Sequence, residues 1–551
     1  MKKIFVLLLF AIGCLTGSTQ QKNINTDSSN VISRPKLVVG IVVDQMRWDY
    51  LYKYYNRYGN GGFKRLLTEG FSCENTMINY VPSVTAVGHT SIYTGSVPAI
   101  SGIAENYWID QSTGIGVYCT DDDTAKSVGT NNNAGKMSPR NLLVSTVTDE
   151  LRIATNFQSR VVGVSLKDRA SILPAGHAAN AAFWFDDSTG NFITSTYYMQ
   201  TLPGWVVQFN KSQAISTLIK KGWNTLYPID TYQNSESDDQ VYEGKFEGET
   251  TSAFPHNINE IYKRNRVSFR TTPFGNTLTL DFAKQAIEGY QLGAGKATDF
   301  LTINCASTDY VGHMFGPNSI EIEDTYLRLD QDLEKFFLFL DDKIGKGQYT
   351  VFLTADHGAS HNAGYTQRHR MSFGFGNVRV ITDSLNKLLE YKFGVKQLIR
   401  SQIGDQVDFD RQKINSQQLD FDAIKKVATT YLQQQPGIMY AVDETKIGEA
   451  PIPEPLKTMI INGYNSKRTS PVRVIFNPGW AQGESIGTGT GHGSIYPYDT
   501  HLPLLFMGWG IRHGSSRATV NVTDIAPTIS ALLHIQMPNG NIGHVIEEVL
   551  K

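Results

Sequence analysis

A chain of 551 residues exceeds the roughly 250–300 residues at which a single core stops growing. One large elaborated domain, or a core with a second lobe, is therefore expected. With 40% hydrophobic and 19% charged residues the composition is neither that of a disordered chain nor that of a multi-span membrane protein, and a formal charge of −2 gives no footprint for a nucleic-acid partner.

Lys2 and Lys3 precede the apolar run Ile4–Ile12, the pattern of a secretory signal peptide over residues 1–20. It implies a periplasmic or secreted protein. Ala11-Ile12-Gly13-Cys14 also resembles a loose lipobox, so a lipid anchor at Cys14 stands beside peptidase cleavage near Ser18–Gln20 as the alternative outcome. No later apolar run approaches the ~20 residues needed to span a bilayer. In an oxidising compartment Cys73 and Cys119 could pair, whereas Cys305 closes an apolar run and reads as a buried free thiol.

Several apolar runs end in charged or histidine residues. Leu37–Val43 ends at Asp44, Val161–Leu166 leads to Lys167 and Arg169, Phe300–Asn304 leads to Asp309, and Thr350–Thr354 leads to Asp356 and His357. Leu502–Met507 is a further run. Continuous runs of this kind suit strands covered on both faces. Helices are expected over Asn141–Thr155, over Ile322–Ile344 with Gly345 as its stop, and over Asp524–Leu533. The alternation predicts an α/β fold, a central mostly parallel sheet sandwiched by helices, in a single domain over residues 35–551. In such sheets ligands sit beyond the carboxyl ends of the strands. Two stretches fit the alternation poorly, 171–290 with an apparent hairpin (Ala182–Phe185, Phe192–Tyr198) and the Gln-rich 362–485 with a late strand pair. Both read as insertions over the active-site edge.

The strand-end residues form a set: Asp44, Asp309-x-x-x-His313, Asp356-His357 and His492. Six oxygen or nitrogen ligands are too many for one tetrahedral zinc but can serve two ions. The segment Val81-Pro82-Ser83-Val84-Thr85-Ala86 opens a helix that stops at Thr94-Gly95. Free backbone N–H groups at its start would make an anion site. Thr85 there is either a nucleophile held as an alkoxide by a metal or, like Ser83, a helix cap.

Thr85 with this metal set resembles the alkaline phosphatase superfamily. The resemblance is carried by Pro82-x-x-Thr85-x-x-x-His89-x-Ser91-x-x-Thr94-Gly95, Pro98, Gly102-Ile103 and Asn106, and by the tail Tyr498-Asp499, Pro503–Phe506 and Thr523–Thr528. It covers the chain after the leader, and departs from the family at Ser101, where members often carry His. It implies one zinc held by Asp309, His313 and His492, a second held by Asp44, Asp356, His357 and the Thr85 oxygen, and a structural role for His89.

Thr85-Ala86-Val87 lacks the Cys-x-Pro-x-Arg context of a sulfatase. A phosphate monoester is a dianion with three non-bridging oxygens, so its hydrolase gains from extra cations and donors. Lys167 and Arg169, if the strand continues, leave one face together, and Asn106 could add a donor. This set is similar to that of the PafA-type zinc phosphomonoesterases. The resemblance implies hydrolysis of small-molecule phosphate monoesters through a phosphothreonine at Thr85, with two Zn2+ per chain, Asn106, Lys167 and Arg169 holding the phosphoryl group, and a monomeric protein. The alternatives are a phosphodiesterase or nucleotide pyrophosphatase of the same superfamily, with Lys167 and Arg169 on the surface, and a non-catalytic zinc-stabilised binding protein.

Overall fold

Four of the apolar runs become adjacent parallel strands. The computed structural model describes residues 33–551 apart from 403 and 483–486; the leader over residues 1–20 and the lipobox cysteine Cys14 lie outside the described residues. The main sheet contains β1 (Leu37–Val43), β2 (Phe71–Met77), β3 (Ser127–Val128), β4 (Val161–Ser165), β5 (Ala181–Asp186), β6 (Asn191–Ser195), β7 (Asp299–Cys305), β8 (Tyr349–Thr354), β9 (His501–Leu502), β10 (Leu504–Gly508) and β11 (Gly514–Asn521). Their order is β9-β2-β10-β8-β1-β7-β4-β5-β6-β3, with β11 paired to β2. The run β8-β1-β7-β4-β5 is parallel throughout. Every residue of β1, β4, β7 and β8 is buried, as expected for strands covered on both faces.

Register levels the carboxyl ends. Val42 of β1 lies opposite Asn304 of β7 and Thr354 of β8, and Asn304 lies opposite Ser165 of β4. The next few residues of each strand, Asp44, Lys167, Asp309, Asp356 and His357, therefore emerge at one edge.

The helices used below are α1 (Thr85–Thr94), α2 (Val147–Ala154), α3 (Asp168–Ala175), α4 (Phe274–Tyr290), α5 (Ser307–Phe315), α6 (Ile320–Leu340), α7 (Val378–Phe393), α8 (Phe421–Gln433) and α9 (Ile525–Leu533). All ten residues of α1 are buried, and Gly95 ends it in the left-handed conformation with φ 63°, which glycine adopts without a Cβ penalty. Helix α2 is shorter than the expected Asn141–Thr155. It begins only after Thr146, whose side chain accepts from Asp149 N while the Asp149 side chain accepts from Thr146 N, a reciprocal cap that fixes the start.

Three expectations need correction. The stretch 171–290 is not simply an insertion over the edge: β5 continues the parallel sheet, the hairpin adds β6, and α4 packs on β7. The short crossover from β4 through α3 to β5 hid this, because α3 has few residues over which to show a period. The cysteines do not pair. Cys73 and Cys119 are buried free thiols in different apolar clusters, the main core and a small one around Ala86, Ile103 and Trp108. Cys305 is buried and free as expected. Finally, β4 stops at Ser165, and Lys167 is the residue that caps α3, so Lys167 and Arg169 are not successive residues on one strand face.

The later stretch has a core of its own, in which Leu385 and Leu389 of α7, Ile424, Ala428 and Leu432 of α8, and Val472 and Val474 pack together. The expected strand pair is present as Ile438–Asp443 antiparallel to Val472–Phe476.

Helix α1 lies on β1 through a gap that only glycine leaves. A Cβ on Gly40 would come within 2.3 Å of Tyr93 Oη and 2.5 Å of Phe352 Cζ. Gly40→Ala should therefore push α1 from the sheet and cost about 1–3 kcal/mol, read as a lower urea midpoint at unchanged slope.

Candidate active site

Two ligand clusters form at the carboxyl edge. Asp44, Asp356 and His357 each place a ligand atom within 4.8 Å of the others, and so do Asp309, His313 and His492. Asp44 directly follows β1, and Asp356 and His357 follow β8. Asp309 and His313 stand one turn apart on α5, with His313 Nε2 3.1 Å from Asp309 Oδ1. The segment carrying His492 returns to the edge just before β9.

The three histidines share one arrangement. Nδ1 of His357 lies 3.0 Å from Gly358 O, that of His313 2.8 Å from Thr490 O, and that of His492 2.9 Å from Ser83 O. A carbonyl can only accept, so each Nδ1 carries a proton, which leaves Nε2 as the nitrogen that would ligate in the neutral ring. All three Nε2 atoms face the carboxylates: His357 Nε2 is 3.6 Å from Asp44 Oδ1, and His492 Nε2 is 3.7 Å from Asp309 Oδ1. Burial lowers the pKa of His357, and burial with the neighbouring His357 and His313 pushes His492 well below its ordinary value, so both favour the neutral, ligating form. In His313 burial acts downward too, but Asp309 outweighs it and the value rises. His313 is also the open member, its side chain 41% exposed.

The carboxylates are short of partners. Asp44 Oδ1 and Asp356 Oδ2 are buried and accept no hydrogen bond. Burial and then Asp356 push Asp44 well above the usual carboxylate range. Lys167 is the fixed cation among them, its Nζ 2.8 Å from Asp44 Oδ2 and 2.7 Å from Asp309 Oδ2. Burial works against both charges of that second pair, yet Lys167 and His313 hold Asp309 well below its ordinary value, and Asp309 with Asp44 raises Lys167.

Thr85 is the first residue of α1 and 1% exposed. Its Oγ1 lies 3.4 Å from His357 Nε2 and 3.4 Å from Lys167 Nζ. It is not a cap: the capping position belongs to Val84, without a side-chain bond, and Ser83 Oγ donates to Ser494 O at 2.8 Å. At the helix end one backbone donor is already taken, because Asn106 Oδ1 accepts from Ala86 N at 2.9 Å. His89 Nδ1 lies 2.9 Å from Thr85 O and 3.3 Å from Asp356 Oδ2, so it ties the Thr85 backbone to Asp356. Arg169 Nη1 donates to Tyr118 Oη at 3.1 Å, and its buried Nε has no partner.

Sequence reasoning missed the residues that brace this set. Gln45 is buried at φ 62°; its Nε2 donates to Asp309 Oδ1 at 2.7 Å and its backbone N to Asp356 Oδ1 at 3.2 Å, so one residue reaches both clusters. A relay runs beneath them. Lys167 N donates to Ser165 Oγ, Ser165 Oγ to Asn304 Oδ1, and Asn304 Nδ2 to Asp44 Oδ2. A polar residue at the level of the last strand positions was the only available signal.

A family model described as Type I phosphodiesterase / nucleotide pyrophosphatase matches residues 38–499. The chain is 53% identical to alkaline phosphatase PafA of Elizabethkingia meningoseptica, over 96% of each chain. It is 51% identical to alkaline phosphatase PhoV of Synechococcus elongatus over 100% of both. It is also 51% identical to a protein of Myroides odoratus named calcium-transporting ATPase, over 95% of this chain and 96% of that one. The crystal structure of wild-type PafA superposes with a TM-score of 0.93 at 53% identity, covering 95% of this chain and 100% of that one. The edge-of-sheet clusters, the buried threonine beside them and these full-length likenesses agree, and the chain belongs to the alkaline phosphatase superfamily, among its PafA-like alkaline phosphatases.

Proposed function

We propose that the protein is a zinc-dependent phosphomonoesterase that works through a phosphothreonine at Thr85. The observation that carries this reading is the place of Thr85 Oγ1, 3.4 Å from both a ligand imidazole and the one lysine that joins the two clusters. The donor sets fit zinc, since imidazole Nε2 atoms and carboxylate oxygens converge in each cluster and two oxygens of the first, Asp44 Oδ1 and Asp356 Oδ2, are buried without a hydrogen bond. Asp44, Asp356, His357 and Thr85 Oγ1 would hold one ion, and Asp309, His313 and His492 the other. Bound zinc lowers the pKa of water or a hydroxyl to about 7 and offsets phosphoryl charge.

The chain's own groups supply the rest. Lys167 stabilises negative charge on Thr85 Oγ1 as the hydroxyl loses its proton. Asn106 has committed its oxygen to Ala86 N, so its amide N–H groups are the end left to donate to a phosphoryl oxygen. Arg169, with Nε unpartnered, adds the second cation for the dianion. In the first displacement the Thr85 hydroxyl gives up its proton to solvent, the Thr85 Oγ–P bond forms while the ester P–O bond breaks, and the alcohol leaves with a proton from solvent. In the second, a water oxygen bonds to phosphorus, the Thr85 Oγ–P bond breaks, and inorganic phosphate departs as Thr85 regains its proton.

A phosphodiesterase with Lys167 on the surface has less support, because Lys167 is 2% exposed and ion-paired. Transport, in the name of the Myroides odoratus relative, requires membrane-crossing elements, and among the described residues no helix is long and apolar enough to cross a membrane. We read the substrates as small phosphate monoesters met in the periplasm or outside the cell, on the strength of the leader.

Thr85→Ala should lower kcat/KM for a p-nitrophenyl monoester by roughly 10³-fold or more while zinc stays bound. Lys167→Ala/Arg169→Ala should cost about 10²–10³-fold on the monoester and far less on the bis-ester; equal losses on both substrates would sink the assigned role of the two cations. Gln45→Ala should weaken zinc retention about 10–100-fold, measured as metal left on the protein after dialysis against a chelator.

A further inference from the structure

A third group of potential ligands lies away from the catalytic edge, where the loop 235–254 meets the start of α6. One oxygen each of Asp238, Glu243 and Glu321 lies within 4.8 Å of the others. Glu321 is fully buried and Glu243 is 2% exposed. Asp238 accepts from Asp239 N and Phe254 N, and Glu243 Oε2 from Gln240 N and Ser252 Oγ. Among the described residues no lysine or arginine pairs with any of the three.

The one nearby cation is already shared. His256 is fully buried, with Nδ1 3.0 Å from Glu249 Oε2 and Nε2 3.3 Å from Glu321 Oε1. Both ring nitrogens face acceptors, so the ring is an imidazolium; burial opposes this, but Glu249 and Glu321 carry its pKa to about 9. One positive charge thus stands against the carboxylates of Asp238, Glu243, Glu249 and Glu321. Burial and then Glu321 push Glu243 up to about 8. The independent sign of a missing partner is Glu321 Oε2, buried and without any hydrogen bond, in a place where an unsatisfied charged acceptor is costly.

We propose that Asp238, Glu243 and Glu321 form a third cation site, for a hard divalent ion of the calcium class, that fastens the loop 235–254 to the start of α6. The three donors are oxygens, and the one imidazole at hand has both nitrogens engaged, so the site does not suit zinc. Oxygen separations of up to 4.8 Å fit around an ion with bonds of about 2.3–2.6 Å, better than the ~2.1 Å bonds of magnesium. The loop reaches the catalytic edge directly. Gly244 N donates to Met314 O, next to His313, and Gly489 N donates to Tyr242 O.

The test is equilibrium dialysis of the full-length, zinc-saturated protein against radioactive calcium, with thermal unfolding at constant zinc beside it. One calcium per chain should be retained, and 1 mM calcium should raise Tm by about 2–3 °C. Asp238→Asn and Glu243→Gln should each weaken retention at least tenfold and abolish the Tm shift. Asp238 is the partly exposed member, so its variant tests the site even if loss of Glu243 harms folding. No retained calcium and an unmoved Tm would mean that a shared proton satisfies the pair, and would overturn the proposal. Retention unaltered in both variants would place the ion elsewhere and overturn it equally.

Discussion

Three carboxylates, Asp44, Asp309 and Asp356, are held together at the end of a sheet whose strands exclude water, and the surrounding architecture follows from making that tolerable. Like charges in a low-dielectric interior repel far more strongly than in water, and a buried charge without a counter-charge is among the costliest features a fold can contain. Lys167 compensates part of the charge from the start of α3, bridging Asp44 and Asp309. Gln45 and Asn304 restrain individual oxygens of Asp309, Asp356 and Asp44. What remains uncompensated, Asp44 Oδ1 and Asp356 Oδ2, is directed where metal ions would contribute most.

The same economy explains the histidines. Each is fixed through Nδ1 by a main-chain carbonyl from a different segment: Gly358, Thr490 and Ser83. Ring orientation and tautomer are thereby set before any ligand arrives, which is how outer-sphere hydrogen bonds tune metal sites. The Ser83 carbonyl belongs to the approach to α1, so the strut that aims His492 and the helix that presents Thr85 are one piece of chain. Movement of either would be felt by the other.

Much of this was legible in the residues. Leu37–Val43 is a strand over the range its hydrophobic run predicts, and Asp309-x-x-x-His313 sits on one helical face because four residues make about one turn. Gly95 stops α1 where a left-handed residue is required. The failures share a cause. Whether Lys167 continued a strand or capped a helix, whether Cys73 met Cys119, and whether Ala182–Phe185 joined the sheet all depend on partners distant in sequence, which local periodicity does not encode. Gln45 and the Asp238–Glu243–Glu321 group were invisible for the same reason. A polar residue beside a motif, or two acids in a polar loop and one at a helix start, look like ordinary surface chemistry until burial is known.

The order in which the ligands occur along the chain has a consequence for how the protein matures. As the polypeptide emerges from its N-terminus, every residue of the Asp44, Asp356 and His357 cluster is available once position 357 has appeared. The other cluster waits for His492, with the whole α7–α8 lobe in between. Contacts spanning such separations close late and slowly, and domains tend to consolidate from the N-terminal side as they emerge. One half of the candidate centre is thus set to acquire its geometry first, and the His492 half can close only after the α7–α8 lobe has emerged.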